Sequence, residues 1–219
     1  MIIAVVGMTN EARLVQGPGV RVVIGGGRSD LLEPRLKAAL DGADAIISIG
    51  LGGALDPALA VGDLVIATEV LRPRARWPTD PAWTASLARR LPGAKLAAIY
   101  GSHEMVLHTL DKAKLRAKGR AALVDMESHV AAQAAAARKL PFAALRVVSD
   151  TAGLSLPPAV GAGLKPDGSM DLLGVLGALA RDPRQLPALI RAGRDADRAF
   201  KALEAAIKAL EPDLGHYPA

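Results

Sequence analysis

The chain is predicted to be an α/β protein, a three-layer α/β/α sandwich around a mixed central sheet. Three observations carry that expectation. Short runs dominated by Val, Ile and Ala recur through the sequence without polar alternation, as strands buried on both faces require. Amphipathic helical patterns separate them, and alternation of the two kinds of segment sets helices against a largely parallel or mixed sheet. No repeat and no shift in composition divides the 219 residues, so residues 1–219 are read as a single domain.

Residues 2–6 are apolar throughout, are closed by Gly7, and form the first strand. Residues 20–24 form the second, which runs into Gly25, Gly26 and Gly27 before a helix over 29–40. The third strand, 45–49, ends at a second glycine cluster, Gly50-Leu51-Gly52-Gly53, and a fourth, 64–68, follows the turn Val61-Gly62-Asp63. A helix over 81–91, a strand over 96–100 and a helix over 110–117 continue the alternation. Strand 123–126 leads into an alanine-rich helix, 127–139, and the apolar strand 142–148 ends in Ser149-Asp150. Residues 151–169, rich in Pro and Gly and without periodicity, are read as a long loop, a candidate lid because it follows Asp150 directly. A long helix is expected over 186–210.

A hydrophobic content of 51% excludes a disordered chain. The absence of cysteine removes disulfides and thiolate metal sites. The apolar start, residues 1–7, is too short for a signal sequence and lacks a basic leader, and no apolar stretch reaches the length of a membrane span, so a cytoplasmic protein is expected. The net charge of +5 raises nucleic acid, anionic lipid and anionic substrates as partners. Scattered basic residues, 3% aromatics and the lack of any recognition motif exclude nucleic acid. The densest basic cluster, Arg72-Pro73-Arg74-Ala75-Arg76-Trp77, reads as a solvated loop broken by proline; its sharper reading is a peripheral contact with anionic lipid head groups. His103, His108, His129 and His216 form no ligand motif, so neither a metal nor a cofactor is expected.

The chemistry is sought at Glu127 and Asp150, two carboxylates delivered to the ends of one helix-to-strand unit, where an open α/β sheet places its ligands. On the residues alone both keep an ordinary alternative: Asp150 as an N-cap or loop acid, Glu127 as a first-turn acid favoured by the helix dipole. The cluster Gly25-Gly26-Gly27-Arg28 could form an anion-binding nest of backbone N–H groups, or a tight turn that packs a helix against the sheet. Gly52, in the second cluster, lets backbone approach a ligand with no side chain between them.

Together, Glu11 after the glycine-ended first strand, Ile49-Gly50-Leu51-Gly52-Gly53-Ala54-Leu55 leading to Val61-Gly62-Asp63, Val124-Asp125-Met126-Glu127-Ser128, and Arg146-Val147-Val148-Ser149-Asp150 resemble the purine nucleoside phosphorylase and nucleosidase superfamily, over roughly residues 1–152. Within it the chain is most similar to the hopanoid-associated nucleoside phosphorylase branch, through the Asp125-Met126-Glu127-Ser128 motif, Ser155-Leu156-Pro157-Pro158 and the tail 182–191.

The resemblance implies cleavage of a purine N-glycosidic bond through an oxocarbenium-like state, with a carboxylate at each end. Asp150 would protonate the purine N7, holding its proton through burial beneath the base, and Ser149 would orient it. Glu127 would bind ribose hydroxyls and stabilise the cationic ring, with Met126 packed on the sugar. Met105 and Val106 would line the purine pocket, while the nearby His103 is read as a surface residue. Glu11 matches the residue that activates water in the nucleosidase branch, although it could simply face solvent. The attacker stays open: the arginine and serine that hold phosphate in typical phosphorylases correspond to Ser48 and Leu51 here, while Gly26, Gly27 and Arg28 offer a substitute cradle. The hopanoid branch implies adenosylhopane, a lipid-linked nucleoside, as substrate. The alternatives are a methylthioadenosine/S-adenosylhomocysteine-type nucleosidase acting on a small soluble nucleoside, and a nucleoside sensor without turnover. The superfamily resemblance also implies a homo-oligomer, expected to be a dimer.

Overall fold

The computed structural model describes residues 1–161 and 163–215. Among these, strand β1 (Ile2–Val6) pairs in parallel with β2 (Val20–Ile24) on one side and β3 (Ala45–Ala54) on the other. β3 continues in parallel against β8 (Phe142–Asp150), which runs antiparallel to β4 (Leu64–Arg72). β4 pairs in parallel with β6 (Lys95–Gly101), β6 with β7 (Leu123–Asp125), and β7 returns antiparallel to the end of β3. The sheet is mixed, as expected. Strands β3, β8, β4, β6 and β7 also close on themselves, which alternation of strands and helices does not predict.

Helices cover both faces. Successive strand residues point to opposite sides, and β1 shows the division: Ile3 and Val5 pack with Leu32 and Leu36 of α2 (Ser29–Ala39) and Ala131 of α5 (Ser128–Arg138). Ala4 and Val6 pack on the other face with Val15 of α1 (Thr9–Val15), Trp83 and Leu87 of α3 (Pro81–Arg90), and Leu203 and Ile207 of α8 (Leu186–Leu210). In α8 the buried residues Ala199, Leu203, Ala206, Ile207 and Leu210 recur at helical spacing, all in its second half, because only that half lies on the sheet. Among the described residues no helix is long and apolar enough to cross a membrane.

Four segments differ from expectation. β3 does not stop at Ile49 but continues through Gly50–Gly53, because β8 pairs with it along that stretch, ending with Gly53 opposite Asp150. The basic segment at Arg72 is solvated, as expected, but is a hairpin and not an irregular loop: β4 turns at Pro73 and Arg74, with Arg74 at φ 64°, into β5 (Ala75–Pro78), and Arg76 forms a forked ion pair with Glu69. Proline is at home at the first turn position, where its fixed φ is required. Helix α1 was not expected, and it forms because Glu11 accepts from the Gly7 and Met8 N–H groups, which would otherwise be orphaned at the helix start. The stretch after Asp150 holds the short α6 (Pro158–Gly161) within the expected loop, and then α7 (Leu172–Arg181), capped by Asp171 accepting from the Gly174 N–H. The remaining helix, α4 (Thr109–Gly119), lies close to its expected position.

Candidate active site

The C-terminal ends of β1, β3, β7 and β8 open onto one cavity of about 560 Å³. Glu11, Glu127 and Asp150 all line it, as do Met126, Ser149, Met105, Val106 and Gly52. Residues scattered over 140 positions of sequence therefore share one wall because parallel strands end together. Its outer wall comes from α7 and α8, through Leu172, Val175, Leu189 and Phe200.

The cavity lining holds a buried carboxylate pair. Glu11 is not at the surface: its Oε2 accepts from Gly7 N (2.7 Å) and Met8 N (2.8 Å), and its Oε1 from Leu51 N (2.8 Å). Glu127 sits beside it at the start of α5, and the carboxylates of both approach Gly7. Fully buried Arg146 lies beside them, 3.7 Å from Glu127 Oε2 and paired with Asp125, to which its Nε donates at 2.7 Å. Asp125 Oδ2 also accepts from Ser128 N (2.9 Å) and Ser128 Oγ (2.6 Å), while Arg146 Nη2 donates to Ser48 Oγ at 2.6 Å. A buried charge that loses its partner costs about 3–5 kcal/mol, so Asp125 and Arg146 fix the bend from β7 into α5 and thereby the placement of Glu127.

The electrostatics follow from burial. Desolvation raises the Glu11 carboxyl above its ordinary value, against the opposing pull of Arg146 and three backbone N–H groups. Glu127 is pushed up to about 8, first by desolvation and then by the like charges of Asp125 and Glu11, with Arg146 pulling the other way. Desolvation works against the Arg146 guanidinium, but the three carboxylates outweigh it and hold the group above its ordinary value. Near neutrality the pair can thus retain a proton, as two crowded carboxylates do.

Asp150 is also almost wholly buried, and Ser149 Oγ donates to its Oδ1 at 2.8 Å, the orienting contact expected. The same hydroxyl lies 3.1 Å from Gly52 O. Asp150 Oδ2 is ion-paired with Lys112 of α4, whose side chain has no exposure. Asp150 is expected beneath a base with Ser149 orienting it; it is also matched to an ammonium. Lys112 was missed because Asp111-Lys112-Ala113-Lys114 reads as a solvated helix face. Arg146 and Asp125 had a legible signal, since an arginine inside an apolar buried strand must find a partner.

The glycines divide by role. Gly52 is required mainly by chain packing: a Cβ there would collide with the Leu123 side chain and stand 2.9 Å from Val124 O. At Gly50 a Cβ would stand 2.5 Å from Glu11 Oε1 and 2.7 Å from Arg146 Nη1. Gly50→Ala is therefore expected to displace that pair, lowering turnover by at least ~10-fold with a loss of thermal stability of about 1–3 kcal/mol, as overpacking does; unchanged kcat and Tm would refute this.

The first glycine cluster does not present an anion cradle. The Gly26 N–H donates to Gly7 O at 2.9 Å, and the Cα of Gly26 is covered by the Pro166 carbonyl. Arg28 turns outward to a forked pair with Asp30, its Nε 2.8 Å from Oδ1. Gly27 lines the cavity, and Gly26 and Arg28 do not. His103 is exposed, as expected, and its Nδ1 lies 3.3 Å from Nε2 of buried His129. His216 lies outside the described residues.

Comparison with known proteins shows the same fold. The solved structures similar to the chain include the 5'-methylthioadenosine/S-adenosylhomocysteine nucleosidase of Helicobacter pylori with butyl-thio-DADMe-Immucillin-A, at TM-score 0.66 and 16% identity over 96% of this chain and 95% of that one. The S-adenosylhomocysteine nucleosidase of Streptococcus pyogenes in complex with 5-methylthiotubericidin superposes at TM-score 0.65 and 18% identity, covering 96% of this chain and 97% of that one. That of Colwellia psychrerythraea in complex with adenine does so at TM-score 0.62 and 24% identity, covering 82% and 96%. At such identities the likeness establishes the fold. No curated protein sequence matches the chain. The family model described as the phosphorylase superfamily matches residues 4–160, well over half of the sequence, a range that includes Glu11, Glu127 and Asp150. The chain belongs to the phosphorylase superfamily.

Proposed function

We propose that the protein is a nucleosidase that hydrolyses the N-glycosidic bond of a 5'-substituted adenine nucleoside of the methylthioadenosine class. The observation that carries this reading is a single cavity lined by Glu11, Met126, Glu127, Ser149 and Asp150. A nucleoside within it has its sugar against Met126 and the carboxylate pair, and its base against Asp150, Met105 and Val106. As the C1'–N9 bond breaks, positive charge grows on the ribose, where Glu127 stabilises it, and N7 of the base takes a proton from Asp150. Glu11 accepts the proton of the attacking water. Its Oε1 has a lone pair beyond the one taken by the Leu51 N–H group.

Water is favoured over phosphate by what surrounds the pair. Ser48 is committed to Arg146, Leu51 is apolar, and Arg28 is paired with Asp30 away from the cavity. Solved relatives carry adenine or 5-methylthiotubericidin, which supports a small adenine nucleoside here. A lipid-linked nucleoside of the adenosylhopane kind is the second reading, favoured by the apolar outer wall and by the exposure of Met170, Leu172, Leu173 and Leu176 beside it. On that reading the exposed helix would rest on a membrane surface.

The test is to incubate the protein with 5'-methylthioadenosine, adenosine and a long-chain 5'-alkyl adenosine, with and without phosphate, and to identify the sugar by mass. Adenine release without phosphate, fastest with methylthioadenosine, is expected. A sugar 1-phosphate formed only with phosphate would overturn hydrolysis, and strong preference for the long-chain substrate would move the assignment to the lipid-linked class.

A further inference from the structure

Lys112 has no part in the chemistry derived so far, yet it is one of the largest fully buried side chains. It reaches from α4 to the end of β8, and its three N–H donors meet three acceptors: Asp150 Oδ2, Thr151 O at 2.9 Å and Leu154 O at 3.0 Å. A buried ammonium is costly, and a structural clamp on the 151–154 turn needs no charge, since neutral donors would serve. A lysine is the side chain that readily changes protonation state when buried. Asp150 has two hydrogen-bonded neighbours that bear protons, Ser149 at Oδ1 and Lys112 at Oδ2. A serine hydroxyl holds its proton far more tightly than an ammonium does.

We infer that Lys112 is a positioning residue that supplies the proton Asp150 delivers to the departing purine. The inference rests on the nucleosidase reading above. In the step, Nζ of Lys112 gives a proton to Oδ2 of Asp150, which becomes a carboxylic acid and passes a proton to N7. The C1'–N9 bond breaks with its electron pair on the base, which leaves neutral. The attacking water bonds to C1' and gives its proton to Glu11. Lys112, left as an amine, regains a proton from solvent, and Glu11 returns one. The Thr151 and Leu154 carbonyls keep the amine in place between turnovers.

Two substitutions separate proton supply from scaffolding. Lys112→Met removes charge and proton; Lys112→Arg keeps the charge and the hydrogen bonds, but a guanidinium does not give up its proton. Both variants are expected to lose at least ~100-fold in kcat for methylthioadenosine, the scale of general acid catalysis, with KM and the Kd for adenine within a few-fold of wild type. On p-nitrophenyl riboside, whose leaving group departs without protonation, the loss is expected to be under ~10-fold. Recovery of kcat by K112R would overturn the inference, because charge alone would then suffice, as would equal losses on both substrates. If K112M does not fold, the K112R comparison decides the matter on its own. A wild-type protein that releases no adenine from any nucleoside overturns the nucleosidase reading itself, whereas normal wild-type turnover with unimpaired variants overturns only the role of Lys112.

Discussion

Asp150→Asn is expected to lower kcat for adenine release by ~10²–10⁴-fold, the range that a positioned acid contributes, while adenine still binds. The amide retains the shape of the carboxyl group and one acceptor oxygen, but it cannot pass a proton to N7. Ser149 and Lys112 both donate to the carboxylate, and an amide oxygen serves only one of them well. Lys112 thereby loses its counter-charge, so the fold is expected to lose up to about 3–5 kcal/mol, and turnover should be measured well below the variant's Tm. Calorimetric titration with adenine separates the effects. Retained affinity with lost turnover is the expected result; a protein that binds nucleoside but shows no turnover even before mutation would instead be a sensor.

Glu127→Gln should show a loss of turnover and a gain in stability together. Burial lifts the Glu127 carboxyl from 4.5 to about 8 in the folded protein. Between those values the folded state binds more protons than the unfolded one, so this group's contribution is full below pH 4.5 and is lost as pH rises through 8. Gln has no such proton to lose and removes a like charge beside Glu11 and Asp125. The variant's advantage should therefore grow from acid toward pH 8, reaching at least ~3 °C in Tm there, the shift that about 1 kcal/mol gives in a chain of this size. Its kcat should fall at least ~100-fold with the loss of an electrostatic stabiliser. A Tm difference that stays flat with pH, or turnover within ten-fold of wild type, would count against the placement of Glu127.

Much of the site was legible because its carriers are local. Glu127 follows a strand and starts a helix, Asp150 ends a strand, and both positions follow from apolar runs whose ends are visible in sequence. The layers were legible for the same reason: unbroken apolar runs mark strands buried on both faces, and period-3.6 patterning reports which face a helix buries. The glycine nest at Gly26 was misread because a run of glycines shows freedom of backbone but not what covers it, here the Pro166 carbonyl. The end of β3 was misplaced because glycine lowers strand propensity, and only the pairing with β8 outweighs that.

The sequence by itself determined the alternation of strands and helices, the family, and the identity of the three carboxylates. Tertiary structure alone decided how they are held. Lys112 meets Asp150 across 38 residues, Arg146 on β8 reaches Asp125 of β7 and Glu127 although the two strands do not pair, and Glu11 caps its own helix while accepting from Leu51 on β3. The reason is that hydrophobic patterning records which side of an element is dry, whereas the partner of a buried charge depends on which elements meet. That is settled only when the sheet closes.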